Sequence, residues 1–201
     1  MISEVAKILA LSLMPMYASQ KVTVLGGLVK VASQEIKEKQ IEKFPIPYSA
    51  GSQPMQISND AFIPDSSQRA IIYFEGSDSN VTMFENNKSR FKAALRLICW
   101  YNADKFQTDD DSSVHISLLA EILGLLPSAK RLSDQILALD IVPGSIIDST
   151  PRLFSQYSYK EEKGQYLLPP YYALGIDLTT TFQINHGCNA KLKPVESGGC
   201  C

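Results

Sequence analysis

The sequence has few of the side chains on which enzymes most often rely. Histidine occurs only twice in 201 residues, as His115 and His186. Residues 26–30 (GGLVK) lack the glycine spacing and the Lys-Ser/Thr pair of a phosphate-binding loop. The dinucleotide fingerprint, the HExxH zinc motif and the nucleophile elbow are also missing. Cys99 and His115 could formally make a nucleophile pair, but no oxyanion motif accompanies them, and His115 is expected to be a solvated or capping residue near a helix start. We therefore expect a non-enzymatic protein with no catalytic residues and no cofactor.

An excess of positive charge is missing as well. The chain has 19 Lys and Arg against 21 Asp and Glu, a net charge of −2. A protein held mainly by nucleic-acid phosphates normally shows a basic surplus, so this composition argues against that class. One small basic cluster is present, made of Lys88, Arg90, Lys92 and Arg96. Such a cluster is either a solvated strand face or the lining of a channel that carries nucleic acid.

Long hydrophobic runs are also missing. A membrane-spanning helix needs about 20 apolar residues, and Glu121 interrupts the longest candidate at residues 118–126. The first residues imitate a secretory signal, but Glu4 spoils its cationic region and Pro15 cuts its apolar stretch. We therefore expect no membrane partner and no secretory leader.

The four cysteines do not form a disulfide framework, because three of them crowd the last fourteen residues. Cys99 lies in the apolar stretch 97–101 and is expected to behave as a small buried hydrophobe, which fits a reducing compartment.

Two groups of residues could hold a metal, and neither has the usual spacing. The last sixteen residues contain four zinc-type ligands, but adjacent cysteines chelate poorly and a C-x₂₋₄-C pair is missing. The three aspartates at 109–111 lack the alternating oxygens of a calcium loop, and they are better suited to capping a helix. The end of the chain also resembles the prenylated tail of Rab-type small GTPases, although the phosphate loop of that family is absent. We therefore expect no metal site. The tail ligands are His186, Cys188, Cys200 and Cys201.

Hydrophobic periodicity predicts the secondary structure. In the first half, we expect a helix over 3–14 that ends before Pro15, and a strand over 69–75. Residues 21–32 form either two strands around the Gly26-Gly27 turn or one strand with a bulge there. Residues 34–43 form an exposed helix or a protruding strand pair, and the prolines over 45–66 indicate loop.

In the second half, residues 81–85 and 91–101 are predicted strands, and the second of these alternates at period two from Phe91 to Tyr101. A helix over 90–98 is the alternative for the second segment, but the aromatic and β-branched residues at its end favour a strand. A helix over 114–126 follows, with Ile116, Leu119, Ala120, Leu123 and Leu126 on its apolar face. Residues 136–147 combine strand pieces with a Pro143-Gly144 turn, a short helix begins at Thr150-Pro151, and 172–185 is the last strand.

This order of elements predicts an α+β fold, in which one or two helices flank a mostly antiparallel sheet and loops or arms project from it. We expect a single domain over 1–186, an inserted loop or arm at about 34–66, and a C-terminal tail over 187–201.

Aromatic residues are concentrated near the C-terminus, where six fall within nineteen positions. Tyrosine is favoured at protein interfaces because it offers a large apolar area with a polar tip. The alternative is a hairpin whose tyrosines cover the domain's own sheet. The six are Phe154, Tyr157, Tyr159, Tyr166, Tyr171 and Tyr172.

The order of elements resembles the tail-terminator and neck-ring proteins of tailed bacteriophages. The likeness rests on the N-terminal helix, the strand pair, the hairpin over 69–101, the helix over 114–126 and the long last strand, and in particular on segments 91–102 (FKAALRLICWYN) and 171–182. It implies a structural virion protein that is assembled in the host cytoplasm and forms a ring with copies of itself. Its neighbours would be portal, connector or tail-tube proteins, and genomic DNA would be a further partner where it passes through the channel. The alternative is a non-enzymatic binding or accessory subunit of another multiprotein complex.

Overall fold

The chain forms four α-helices and seven β-strands in the part that the structure describes. This computed structural model describes residues 2–35, 41–76, 80–85, 88–106, 111–126, 136–159 and 164–185. The helices are α1 (Ile2–Ser12), α2 (Met14–Ala18), α3 (Asp111–Leu125) and α4 (Thr150–Leu153). The strands are β1 (Val24–Glu35), β2 (Ile41–Pro47), β3 (Ala70–Gly76), β4 (Asn80–Glu85), β5 (Lys88–Asn102), β6 (Ile136–Ile147) and β7 (Tyr171–Asn185).

All seven strands belong to one sheet. Six of them follow the order β2-β1-β3-β5-β7-β6, and β4 pairs with the start of β5 beside them. Every pair is antiparallel except β1–β3, which is parallel. The α+β class with a mostly antiparallel sheet, predicted from the order of elements, is therefore confirmed.

The central strand β5 shows the predicted alternation. Its odd-numbered side chains from Phe91 to Tyr101 are buried against α1 and α3. Ile98 and Trp100 point to the opposite face and pack in a second apolar cluster. Because both faces of β5 are covered at this end, the sheet has helices on one side and the segment after β6 on the other.

The second cluster is covered mainly by short, irregular pieces of chain. Phe62 comes from a 3₁₀ turn, Leu153 from α4, and Phe154 and Tyr157 from the segment that follows α4. Residues 34–66, predicted as an inserted arm, therefore contain β2 and also contribute Phe62 to this core.

Strand β1 is one continuous strand with a bulge, the second of the two alternatives left open for residues 21–32. Its register with β3 shifts between Leu25 and Leu28, where the two glycines lie. The buried side chain of Gln53 serves this bulge: its Oε1 accepts from the Gly27 N–H at 2.7 Å, and its Nε2 donates to the Leu28 carbonyl at 2.9 Å. The Leu28 carbonyl also accepts from the Tyr48 N–H at 2.9 Å, so the amide supplies an acceptor to Gly27 and a second donor to Leu28.

Within the segment 34–43, residues 34–35 and 41–43 lie in paired strands, as the second alternative predicted, and residues 36–40 lie outside the described residues. Gln34 pairs with Glu42, and Glu35 pairs with Ile41. The predicted loop over 45–66 begins later than expected, because β2 continues to Pro47.

Two predictions that were based on proline residues differ from the structure. Pro15 was expected to end helical structure, but it lies in the first turn of α2, where the missing N–H costs nothing. The predicted Pro143-Gly144 turn is wrong, because both residues lie within β6 beside a register shift. Strand β6 is the last strand of the sheet, and an edge strand tolerates proline because one side of it needs no donors.

The predicted apolar face of α3 is only partly right: Leu119, Leu123 and Leu126 pack against the core, but Ile116 and Ala120 are exposed. Val114, Leu118 and Ile122 are its buried side chains, whereas Ile116 is 65% exposed. Helix α3 is apolar on nearly every side, so periodicity alone could not fix which stripe faces the sheet. The helix itself lies where it was expected, although its first residue is Asp111.

Candidate functional site

Cys99 and His115, the one nucleophile pair that the sequence suggested, do not form a reactive pair. Cys99 is fully buried in the core between the sheet and its helices, and burial raises the pKa of its thiol to about 12. The thiolate is the reactive form, so this cysteine is inert at neutral pH. His115 makes its hydrogen bonds to Tyr101 and Asp148, not to Cys99.

Tyr101, His115 and Asp148 form a hydrogen-bonded chain that the sequence did not suggest. His115 Nδ1 lies 3.1 Å from the Tyr101 hydroxyl, and its Nε2 lies 3.1 Å from Asp148 Oδ1. In a catalytic triad the carboxylate is buried and the nucleophile is accessible. Here the order is reversed: Tyr101 is buried, and the Asp148 side chain is 69% exposed. The chain therefore pairs a buried hydroxyl with polar groups and connects α3 to the end of β6.

The basic cluster lies along one face of β5. Arg90 and Lys92 are exposed, while Arg96 is partly buried and its Nε donates to Asp177 Oδ1 at 2.7 Å. Hydrogen bonding to Asp177 raises the pKa of Arg96 further, and burial opposes the rise only in part. Among the described side chains of this cluster, Arg90 and Lys92 are therefore the exposed ones, and Arg96 is tied to β7. Nothing is described of the Lys88 side chain, the fourth member.

Most of the aromatic segment covers the domain's own sheet, as the second interpretation of that segment predicted. Phe154 and Tyr157 are buried, and Tyr159, Tyr166 and Tyr171 pack against the same cluster. Trp100 holds this layer in place, since its ring stacks on Tyr171 and its indole N–H donates to the Tyr166 carbonyl at 2.7 Å. Tyr172 points to the other face and stacks on Tyr101.

Glu75 fastens this aromatic layer to β3. Its carboxyl accepts a hydrogen bond from the Tyr157 hydroxyl, and Tyr73 lies buried beside them. Burial raises the pKa of Glu75, although hydrogen bonds from Tyr157 and Gln156 oppose the shift. Burial also raises the pKa of Tyr157, and the charge of Glu75 adds to the rise. Glu75, Gln156 and Tyr157 also line a cleft of about 240 Å³.

The two ends of the sheet differ from its middle in carrying exposed apolar side chains. On the last strand, β6, Val142 and Ile146 are exposed. At the opposite end, Val31 and Ile41 are exposed on the hairpin formed by β1 and β2. The β1–β2 hairpin also extends beyond β3, because only residues 24–28 of β1 pair with that strand.

Strand β6 has an open edge. It pairs with β7 on one side, and no backbone hydrogen bond to its other side occurs among the described residues. By contrast, the outer edge of β2 is partly covered, because Lys43 and Ser158 exchange backbone hydrogen bonds of 3.1 and 2.9 Å. An open edge with apolar side chains is a surface on which another chain can pair. Sequence reasoning missed it because Pro143-Gly144 suggested a turn there.

The tail ligands His186, Cys188, Cys200 and Cys201 lie outside the described residues, as do Asp109 and Asp110. Within the described ranges, no group of three or more His, Cys, Asp or Glu side chains is arranged to hold a metal ion. None of the helices that the structure describes is long and apolar enough to cross a membrane.

Comparison with known proteins leaves the site to be interpreted from its own geometry. No known protein family matches this sequence, and no curated protein is significantly similar to it.

Proposed function

We propose that this protein is a structural subunit that assembles head to tail with copies of itself into a ring. The observation that carries the proposal is the placement of two unlike surfaces at opposite ends of one sheet. The β1–β2 hairpin projects at one end, and the open edge of β6 lies at the other.

Unlike surfaces favour a heterologous contact. When one surface of a subunit binds a different surface of the next, each subunit keeps one free end, and the series closes if the rotation allows it. In the proposed contact, the part of β1 that extends beyond β3 in one copy adds to the β6 edge of its neighbour, because the outer edge of β2 is already partly covered by Ser158. Main-chain hydrogen bonds supply affinity in such strand addition, and side chains supply specificity. Ile41 and Ile146 are the apolar side chains placed at this contact.

The setting that we propose for the ring is the neck or tail of a tailed bacteriophage. The support is the order of elements, which resembles that of tail-terminator and neck-ring proteins. In that setting the protein is a virion component, with portal, connector or tail-tube proteins as neighbours. Lys92 is an exposed cation on β5 that is suited to face DNA in the channel. Locating the protein by antibody labelling of purified particles tests this setting, and its absence from all particles would refute it.

Native mass spectrometry and negative-stain imaging test the ring directly. We expect closed rings of the wild-type protein and monomers of Ile146→Lys, because a lysine on an edge strand opposes pairing. Ile116→Lys is the matched control, since it makes the same change at another exposed isoleucine, on α3. Rings should persist in that control. A wild-type monomer at all concentrations, or equal loss of rings in both variants, would contradict the proposal.

Mixing two defective variants tests the head-to-tail geometry. Ile41→Lys damages the hairpin surface but leaves β6 intact, and Ile146→Lys does the reverse. One undamaged contact remains available between the two variants. We therefore expect the mixture to form dimers that contain one copy of each, and no rings. Dimers of either variant alone would indicate a symmetric contact and would refute the head-to-tail arrangement.

A further inference from the structure

A second cleft, of about 500 Å³, lies at the end of the sheet where β5 meets its 3₁₀ extension. It is lined by the end of α2, the chain just before β1 and the chain just before β3. Arg69 and Lys105 are its charged side chains, and none of the residues lining it is acidic. The lining comprises Tyr17, Ala18, Gln20, Val22, Thr23, Ser67, Arg69 and Lys105.

The two cations are held in place by neutral groups. Arg69 Nη1 donates to the Gln20 carbonyl at 2.9 Å, and its guanidinium lies over the Phe106 ring at 5.9 Å. Lys105 Nζ donates to the Ser67 carbonyl at 2.7 Å. Neither pairs with a carboxylate in the part of the chain that is described. Two positive charges are therefore oriented toward one cleft and are not neutralised there.

The backbone conformation of Gln20 explains why its carbonyl faces Arg69. Gln20 has φ 60°, in the left-handed region that glycine usually occupies. It follows α2 in a Schellman arrangement, in which the Lys21 N–H bonds to the Met16 carbonyl and the Gln20 N–H bonds to the Tyr17 carbonyl. The turn directs the Gln20 carbonyl to Arg69 and thereby fixes the guanidinium.

The charge and the volume of the cleft together indicate the class of ligand that it binds. A phosphate monoester carries a charge between about −1.5 and −2 at neutral pH, which matches two fixed cations better than a singly charged carboxylate does. Arginine also binds phosphate through two parallel donors. Small-molecule sites usually occupy about 300–1,000 Å³, so this cleft has room for more than the phosphate. Tyr17, whose ring is exposed, gives the rest of the ligand an apolar surface.

We propose that this cleft binds a phosphate monoester of nucleotide size, with Arg69 and Lys105 on the phosphate and Tyr17 against the attached group. The site is independent of ring formation, because its lining residues belong to neither the hairpin nor β6.

Isothermal titration calorimetry of the wild-type protein with AMP and with adenosine tests the phosphate requirement. AMP should bind and adenosine should not. Lys105→Gln and Arg69→Gln should each weaken AMP binding at least tenfold, because each removes one of the two charges. Arg152→Gln, which changes an exposed cation on α4 outside the cleft, is the matched control and should leave binding unchanged. Circular dichroism checks that each variant is folded, and Lys105→Gln still tests the proposal if Arg69→Gln does not fold.

Two further probes define the ligand class. Inorganic phosphate should bind more weakly than AMP, because it lacks the group that contacts Tyr17. A twelve-nucleotide single-stranded DNA without a terminal phosphate offers only singly charged diesters and should also bind more weakly. Equal heats from AMP and adenosine, undiminished AMP binding by Lys105→Gln, or tighter binding of the DNA than of AMP would each overturn the proposal.

Discussion

Replacing Gly26 by alanine tests the packing of the β1 bulge. A Cβ at Gly26 would overlap ring atoms Cε1 and Cζ of Phe62. That ring is fully buried and lies edge-on to Tyr73 at 5.6 Å between centroids, so it has little room to move. The backbone of Gly26 is outside the left-handed region, so the cost is steric and not conformational.

The expected loss follows from overpacking. Extra carbon in a filled core costs about 1–3 kcal/mol, and we expect about 2 kcal/mol for Gly26→Ala. In a chain of this length each kcal/mol lowers Tm by about 2–4 °C, so the expected fall is about 4–8 °C. Thermal and urea unfolding followed by circular dichroism measure both quantities.

Gly124→Ala is the matched control, because the same atom is added where no neighbour lies within 4 Å. Gly124 lies in α3, where alanine is more favourable than glycine by up to about 1 kcal/mol. The same substitution should therefore stabilise at Gly124 and destabilise at Gly26. A Gly26→Ala variant within about 0.5 kcal/mol of wild type would refute the reasoning.

The cause can be isolated by also changing the ring. Phe62→Leu removes the atoms that the new Cβ would meet, so Gly26→Ala should cost less in that background. A double-mutant cycle for residues in contact gives a coupling of about 0.5–3 kcal/mol. If the two losses simply add, the overlap with Phe62 is not the source of the destabilisation.

Two further predictions concern buried groups of the core. Gln53→Leu removes the acceptor of the buried Gly27 N–H, whereas the Leu28 carbonyl still accepts from the Tyr48 N–H. It should lower the free energy of unfolding by about 1–3 kcal/mol, measured by urea unfolding; a loss below about 0.5 kcal/mol would contradict this. Cys99 keeps its proton in the folded state up to a pKa of about 12, whereas the unfolded chain releases it near 9.0, so stability should fall as pH rises between these values. The contribution of Cys99 to that slope is about 1.4 kcal/mol per pH unit, and Cys99→Ala should lack it. With the other three cysteines replaced by serine, the folded protein should resist a thiol reagent at pH 8 and react once unfolded, and rapid labelling without unfolding would contradict the burial of the thiol.

The regular elements could be predicted from the sequence because their side chains alternate clearly. The period-two pattern from Phe91 to Tyr101 specified a strand and its buried face, and both are confirmed. Helix α3 was located correctly, but its orientation was predicted only in part, because Ile116 and Leu118 are equally apolar and only the sheet decides which is buried.

The surfaces were harder to predict than the elements. The open edge of β6 depends on which strand is last in the sheet, and no local pattern near Pro143 encodes that order. Arg69 and Lys105 are 36 positions apart and meet only because the start of β3 pairs with the end of β5. Gln53 gave no signal at all, since its role depends on a bulge in a different segment. Periodicity reports on burial along one element, and these features arise between elements.

The length of the β5–β7 pairing has a consequence for the charged regions of the molecule. The two strands pair without interruption from Lys88 opposite Asn185 to Asn102 opposite Tyr171. At about 3.3 Å per residue, Arg90 and Asn102 are about 40 Å apart along β5. Arg90 lies near one end of this span, and Arg69, whose carbonyl accepts from the Asn102 N–H, lies at the other. The electrostatic screening length at physiological salt is about 8 Å, so the two positive regions are electrostatically independent of each other.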